Sequence, residues 1–335
     1  LLSESSDVWE LGGRSQGEVA PDSEPTNAFQ EERKNTYYIL RNAGYRVDLI
    51  TEVDVIAGYL SKYKALYIGG ENLERKAAIV IAQWVKDGGV LYASAGAARK
   101  DEYDEPLEVL DEVLGRGARL FYQRYKGALR SKLELLFLKP LGIVKLGENM
   151  SFPAIVVLEK FAPAANATVR ATLDNGEAIA VSCKAGKGEG WYVGTFPAEA
   201  WAKKALPVLP CGKGGPENRI RYPQFEPTDF DMTAAEMVLL PLKVASIRTD
   251  ICVNKPNIVC NRLESKNAVV ITIVNLGATS KGNAREVMVE VNNVSLAKKV
   301  WSYAFQKGLQ HELKDGVMKI VVPEIGLVDV LVIER

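Results

Sequence analysis

The chain has 335 residues, which at roughly 100–200 residues per domain points to two domains or three and excludes a single small module. Apolar residues make up 47% and charged residues 25%, the balance of a soluble globular protein, so disorder and fibrous repeats are excluded. Forty-two basic against 42 acidic side chains give zero formal net charge, which removes the electrostatic case for nucleic acid or a membrane surface as partner.

Leu1-Leu2 runs straight into the polar Ser3-Glu4-Ser5-Ser6-Asp7, which reads as the end of a parallel strand followed by a turn. The expectation is a piece cut from a longer polypeptide, with a processed signal peptide as the rival explanation. Glu31 to Asn42 carries apolar residues at helical spacing and stops at Gly44. Tyr45 to Ile50 alternates as a strand, and Asp54 to Leu60 reads as a short helix. Ala65-Leu66-Tyr67-Ile68 is an uninterrupted apolar run ending in Gly69-Gly70, as buried parallel strands end. Glu74 to Lys86 returns to helical spacing, Gly88-Gly89 ends it, and Val90-Leu91-Tyr92-Ala93 is the next strand. This alternation predicts an open, mostly parallel sheet flanked by helices.

Residues 167–173, 178–183 and 191–194 read as strands around turns, an antiparallel extension of the same domain, and Ala198 to Ala205 as a closing helix. Leu206 to Tyr222 concentrates Pro and Gly and is the linker candidate, with a helix from Thr233 to Leu240 after it. Beyond residue 244, strand patterns at 258–263, 268–275, 286–291, 298–304, 317–322 and 328–333 predict a small β-sandwich. The expected organisation is therefore an α/β domain over 1–205, a linker and helix over 206–243, and a sandwich over 244–335. No apolar run approaches the ~18 residues of a membrane helix, so no membrane is expected and the compartment stays open.

The single histidine, His311, falls in the predicted sandwich, so general base chemistry near neutral pH would have to avoid histidine or use that one residue. Four cysteines, Cys183, Cys211, Cys252 and Cys260, include no CxxC pair, and neither a zinc site nor a disulfide framework is signalled. In an open parallel sheet, ligands bind beyond the carboxyl ends of the strands. Those ends are Ser3 to Ser6, Gly69-Gly70-Glu71 and Ser94-Ala95-Gly96-Ala97. The last resembles a nucleophile elbow, which would make Ser94 a nucleophile; the bland reading is a tight turn of small residues against the sheet. Asp101 to Glu105 holds four carboxylates that could bind a hard cation, or form a solvated loop or the acidic start of a helix over Leu107 to Leu114. Gly186-Lys187-Gly188-Glu189-Gly190 lacks the Ser/Thr and the helix of a phosphate loop and reads as a hairpin turn. Asn149, Asn166 and Asn293 fit a glycosylation pattern that arises readily by chance. Trp9, Tyr37, Tyr38, Tyr45, Tyr59 and Tyr63 could stack on sugars; packing accounts for most, and Trp9 falls in a polar loop.

With these residues laid out, the chain resembles the non-catalytic C-terminal half of family 42 β-galactosidases and their relatives. The matching stretches are LLSESSDVWEL at 1–11, LRNAGYRVDLITEVDV at 40–55, LSKYKALYIGG at 60–70, WVKDGGVLYASAGAARKDEYDEP at 84–106, DNGEAIAV at 174–181, GKGEGWYVGTFP at 186–197 and the strand-rich tail ending in GLVDVLVIER. Residues 112–165 match poorly. The resemblance implies a class I glutamine-amidotransferase-like domain of flavodoxin-like layering, called the trimerisation domain, followed by a small β-sandwich. It places the catalytic carboxylates on an upstream barrel, so no catalytic residue, metal or cofactor is carried over. Amidotransferases of this fold need an elbow cysteine and a downstream histidine; Ser94 stands near the elbow and no histidine precedes residue 311. The function implied is assembly of a carbohydrate-active enzyme as a trimer or dimer. Two alternatives stay open: a carbohydrate-binding or sensing protein using a strand-end pocket at Ser5, Gly70, Ser94, Gly96 and Arg99, and a hydrolase with Ser94 as nucleophile.

Overall fold

The computed structural model describes residues 1–11, 27–127, 129, 134–205, 229–255, 258–278 and 282–335. The linker candidate Leu206 to Tyr222 lies outside the described residues. Contacts divide the chain into two compact units. One comprises Leu1–Thr36, Leu49–Phe225 and Phe230–Ile247, the other Tyr37–Asp48, Glu226–Asp229 and Arg248–Arg335.

In the first unit, helix α1 (Glu4–Leu11) stands where the sequence suggested a polar turn. Ser3 accounts for it: its Oγ accepts the Ser6 N–H at 3.4 Å, and Glu4 and Asp7 favour the positive end of the helix dipole. Trp9 therefore lies on a helix rather than in a loop, exposed, with its indole N–H on the Glu102 carbonyl. Helix α2 (Ala28–Asn42) begins a turn earlier than its periodicity indicated. Tyr45 to Ile50, read as a strand, forms no ladder; one parallel bridge joins Leu2 to Thr51. Alternation alone does not make a strand: the Tyr45 N–H turns back to the Leu40 carbonyl, and contact with the chain start is limited to the Leu2 N–H on the Ile50 carbonyl and that bridge.

Helix α3 (Glu52–Ile56) opens on a capping box, Thr51 Oγ1 accepting from Asp54 N while Asp54 accepts from Thr51 N. Strands β1 (Ala65–Ile68) and β2 (Val90–Ser94) flank helix α4 (Arg75–Lys86). Helix α5 (Asp111–Leu114) is all that forms of the helix expected over 107–114. Strand β3 (Arg116–Arg124) follows, then β4 (Gly142–Lys145), β5 (Ser151–Ala154), β6 (Val157–Pro163), β7 (Thr168–Leu173), β8 (Ala178–Ala185) and β9 (Gly188–Val193). Helices α6 (Pro197–Lys204) and α7 (Met232–Val244) complete the unit.

Seven strands form one mixed sheet in the order β1-β2-β9-β8-β7-β4-β5, and β3 pairs β6 in a separate ribbon. Only the β1/β2 and β2/β9 pairings are parallel; the rest of the sheet is the antiparallel extension. Every residue of β2 and β9 is buried, as strands covered on both faces must be. Ile68, Ile81, Val85, Leu91, Ala93 and Tyr192 share one core. Ala185 pairs with Gly188, so Gly186-Lys187 is a two-residue hairpin loop. Gly188 is obligatory there, because a Cβ would lie 2.1 Å from the Val85 carbonyl.

The second unit holds the end of α2 from Tyr37 and, among the described residues, strands that pair only antiparallel. Strands β10 (Ile251–Val253), β11 (Ile258–Glu264), β12 (Ala268–Asn275), β13 (Ala284–Val291), β14 (Lys299–Ser302), β15 (Lys307–Gly308), β16 (His311–Lys314), β17 (Val317–Ile325) and β18 (Val328–Glu334) form two sheets. Their orders are β10-β13-β17-β16 and β11-β12-β18-β14-β15. Val269, Ile271 and Ile273 of one sheet and Val287, Val289 and Ile320 of the other join one core, the sandwich the sequence implied. A one-residue slip of β12 would expose its three core residues, at roughly 1.5–3 kcal/mol each, so the register is firmly specified.

Candidate functional site

The carboxyl ends of β1, β2 and β9 are where a sheet of this kind presents its chemistry. The turns that carry them use left-handed backbone, with φ of 127° at Gly70, 77° at Gly96 and 49° at Ala98. Space is as restrictive as torsion. A Cβ on Gly70 would lie 2.7 Å from Ser6 Oγ, one on Gly69 3.2 Å from Arg33 Cγ, and one on Gly96 3.1 Å from the Phe29 ring. Helices α1 and α2 thus press directly onto the strand ends.

Of the sequence candidates, Gly96 and Arg99 meet in one network centred on Glu159 of β6, whose side chain is fully buried. Its Oε2 accepts the Gly96 N–H at 2.7 Å and the Tyr192 hydroxyl at 2.8 Å, while its Oε1 accepts from Arg99 Nη2 at 2.7 Å. Arg119 adds a second guanidinium, with Nε 3.2 Å from Oε1. Burial pushes the Glu159 carboxyl up, but Arg99 and then Arg119, with the Tyr192 hydroxyl, outweigh it and hold the group below the ordinary carboxylate range. Burial, followed by the Glu159 charge, pushes the Tyr192 phenol up to about 12. Alongside, the buried Arg116 donates to the carbonyls of Ala97 and Ala98 and pairs with Asp111 at 2.7 Å.

Ser5 belongs to a different cluster. Its hydroxyl donates to Glu52 Oε2 at 2.7 Å, and Ser3 donates to Glu52 Oε1 at 2.9 Å, tying α1 to α3. Ser94 is separate again: it is 1% exposed, and its Oγ has no hydrogen-bond partner among the described residues. A nucleophile elbow presents its hydroxyl to substrate with a base in reach. Ser94 Oγ is buried in the turn with no such base bonded to it among the described residues. His311 is exposed on β16 of the second unit, its Nδ1 3.0 Å from the Leu309 carbonyl.

A third cluster joins α2 to the start of α6. Glu32 accepts the N–H groups of Ala198 and Glu199 at 3.3 and 3.1 Å, and Glu199 accepts from Asn35 at 2.8 Å. Both carboxyls are buried. Burial, reinforced by the Glu199 charge, raises Glu32 well above the ordinary range, and burial raises Glu199 to about 8. On α1, burial lifts Glu10 to about 7.

The acidic run serves as a structured turn. Asp101 accepts the N–H groups of Tyr103 and Glu105 and pairs with Arg75 at 2.7 Å, and Asp104 pairs with Lys100. Among the described residues, no group of three or more His, Cys, Asp or Glu side chains is arranged to hold a metal. Nor is any described helix long and apolar enough to cross a membrane.

Sequence reasoning missed Glu159, Tyr192, Glu32 and Glu199. The available signal was a lone carboxylate in an otherwise apolar segment, Val157-Leu158-Glu159 in β6 and Ala198-Glu199-Ala200 in α6.

Solved structures of several glycosidases share this architecture. The GH42 β-galactosidase Gan42B from G. stearothermophilus is 15% identical, with a TM-score of 0.59 over 98% of this chain and 39% of its own. The fold is that of part of a GH42 β-galactosidase. A β-galactosidase from Rahnella sp. R3 gives 17% identity and a TM-score of 0.59 over 93% of this chain and 38% of its own. An α-L-fucosidase, isoenzyme 2 from Paenibacillus thiaminolyticus, gives 11% and 0.60 over 91% and 45%. The chain therefore spans about two fifths of the length of the proteins it matches. No protein-family model and no curated protein matches the sequence.

Proposed function

We propose that this chain is a non-catalytic assembly module of a carbohydrate-active enzyme of the β-galactosidase kind. An amidotransferase-like α/β unit and a β-sandwich oligomerise, as a trimer or dimer, and shape an active site carried on a separate barrel. The observation that carries this reading is the Glu159 network. At the strand ends, where a catalyst of this architecture would present reactive groups, Arg99, Arg119, Tyr192 and the Gly96 N–H are all turned onto one buried carboxylate. Charged groups engaged this way hold the loop together around a carboxylate that is itself fully buried. The fold likeness to glycosidases several hundred residues longer points the same way, since the match leaves most of each of those chains uncovered. Leu120, Phe137 and Tyr103 of the first unit are left in solvent at 69%, 71% and 75% exposure.

The non-catalytic half of the reading is tested by assaying the chain against nitrophenyl esters, nitrophenyl galactosides and glutamine. No turnover above the solvent rate is expected. Turnover that disappears in Ser94→Ala would overturn it in favour of a serine hydrolase.

A further inference from the structure

The second unit contains a pocket that none of the foregoing accounts for. Its volume is about 200 Å³, and its walls include Tyr37, Arg41, Arg46, Asp48, Asp250 and Arg262. Gly44 makes it: the Gly44 carbonyl accepts from Asp250 N and Ile251 N, and a Cβ there would lie 1.7 Å from the Ile251 oxygen. Only glycine lets the segment 44–48 lie this close to β10.

The walls sort into committed and unpaired groups. Arg41 is fixed by the carbonyls of Tyr45 and Cys260 and by Asn261. Arg262, 3% exposed, donates to Asp250 Oδ1 at 2.9 Å and to the carbonyls of Asn292 and Asn293, and pairs with Glu264. Its Nε is buried with no acceptor, an orphan donor inside the wall. The Tyr37 hydroxyl, the Arg46 guanidinium and the Asp48 carboxylate have no hydrogen-bond or ion-pair partner among the described residues. The free groups thus comprise donors, one acceptor of full charge, and the half-buried Tyr37 ring as an apolar surface.

We infer that this pocket binds a single neutral, polyhydroxylated ring, a monosaccharide in chemical class. Arg262 is offset by Asp250 and Glu264, so an anion would meet Arg41 and Arg46 but face Asp48, and a cation would meet Asp48 against both guanidinium groups. A hydroxyl both donates and accepts, so neighbouring hydroxyls can bridge an arginine and an aspartate at once, while the ring's C–H face rests on Tyr37. The volume lies below the ~300–1,000 Å³ of pockets for drug-sized ligands, which limits the occupant to one ring. This inference does not depend on the assembly reading.

The test is isothermal titration of the full chain with D-galactose, D-glucose, D-mannose, D-xylose and L-arabinose. Saturable binding of at least one is expected, weakened about tenfold or more in Asp48→Asn and in Arg46→Ala, as befits loss of one charged hydrogen bond. Both side chains are exposed, and Tyr37→Phe, which keeps the ring, provides a third variant expected to weaken binding less. Silence toward all five sugars would overturn the inference. So would binding unchanged in both charge variants, or binding of sulfate or citrate while the neutral sugars stay silent.

Discussion

Arg99 Nη2 lies 2.7 Å from Oε1 of Glu159, and the Glu159 side chain is fully inaccessible to solvent. The pair spans sixty residues of sequence and joins the turn after β2 to β6. A buried ion pair adds little over an apolar replacement, but removing one partner leaves the other charge stranded. Glu159→Ala removes the nearest carboxylate from Arg99 and Arg119, leaving them Asp111 at 3.7 Å and Glu71 at 3.6 Å, and releases the Gly96 N–H and the Tyr192 hydroxyl. It is expected to cost about 3–5 kcal/mol in urea denaturation. Loss of less than about 1 kcal/mol would mean the network is not what holds the strand ends.

The buried carboxyls of Glu199 and Glu10 contribute a pH dependence of definite sign to stability. Glu199 and Glu10 titrate at about 8 and 7 in the folded chain, against ordinary values near 4.5. Between those values the folded state retains protons that the unfolded state has lost, so the stability present below about 4.5 declines as pH rises toward 8. The Glu159 carboxyl is depressed and works oppositely, its contribution being lost as pH falls through its folded value. Maximum stability is therefore expected in mildly acidic solution. Urea midpoints measured from pH 5 to 8 should fall, and Glu199→Gln should flatten that fall, because a neutral amide still accepts from Asn35 and has no charge to desolvate. A midpoint that rises over this range would contradict the assignment.

Gly70 and Gly58 both have positive φ, at 127° and 86°, but only Gly70 is confined. Gly58→Ala meets nothing within 4 Å and should cost only the backbone preference, about 1 kcal/mol. Gly70→Ala adds a collision with Ser6 and should cost about 2–4 kcal/mol, measured by thermal unfolding. Equal costs at the two positions would show that α1 does not press on the strand end.

Ser94→Ala removes a buried hydroxyl that has no partner among the described residues. An unsatisfied polar group costs folding free energy, so the alanine variant should be equal to the parent in stability or more stable by up to about 1 kcal/mol. A loss above about 1 kcal/mol would reveal a hydrogen bond that Ser94 makes.

The parallel strands were legible because apolar runs bounded by glycine, Ala65–Ile68 and Val90–Ser94, have one structural solution when both faces are covered. The sandwich was legible from alternation, as in β12 and β18. Tyr45 to Ile50 misled because its alternation matches a strand while its neighbours offer no ladder. Helix α1 was hidden because Ser and Asp suit a turn and a helix N-terminus equally well, and the outcome rests on Ser3 and Glu52, 49 residues apart. Of the strand-end candidates, Gly96 and Arg99 converge, whereas Ser5 and Ser94 do not join them. What binds Gly96 and Arg99, Glu159, comes from a segment whose pairing no local pattern announces.

The central claim is association, and sedimentation equilibrium of the 36.7 kDa chain across a range of concentrations tests it most directly. The account predicts a mass two or three times that of the single chain, persisting on dilution to low micromolar concentration. A species that remains at the mass of one chain at every concentration would contradict it.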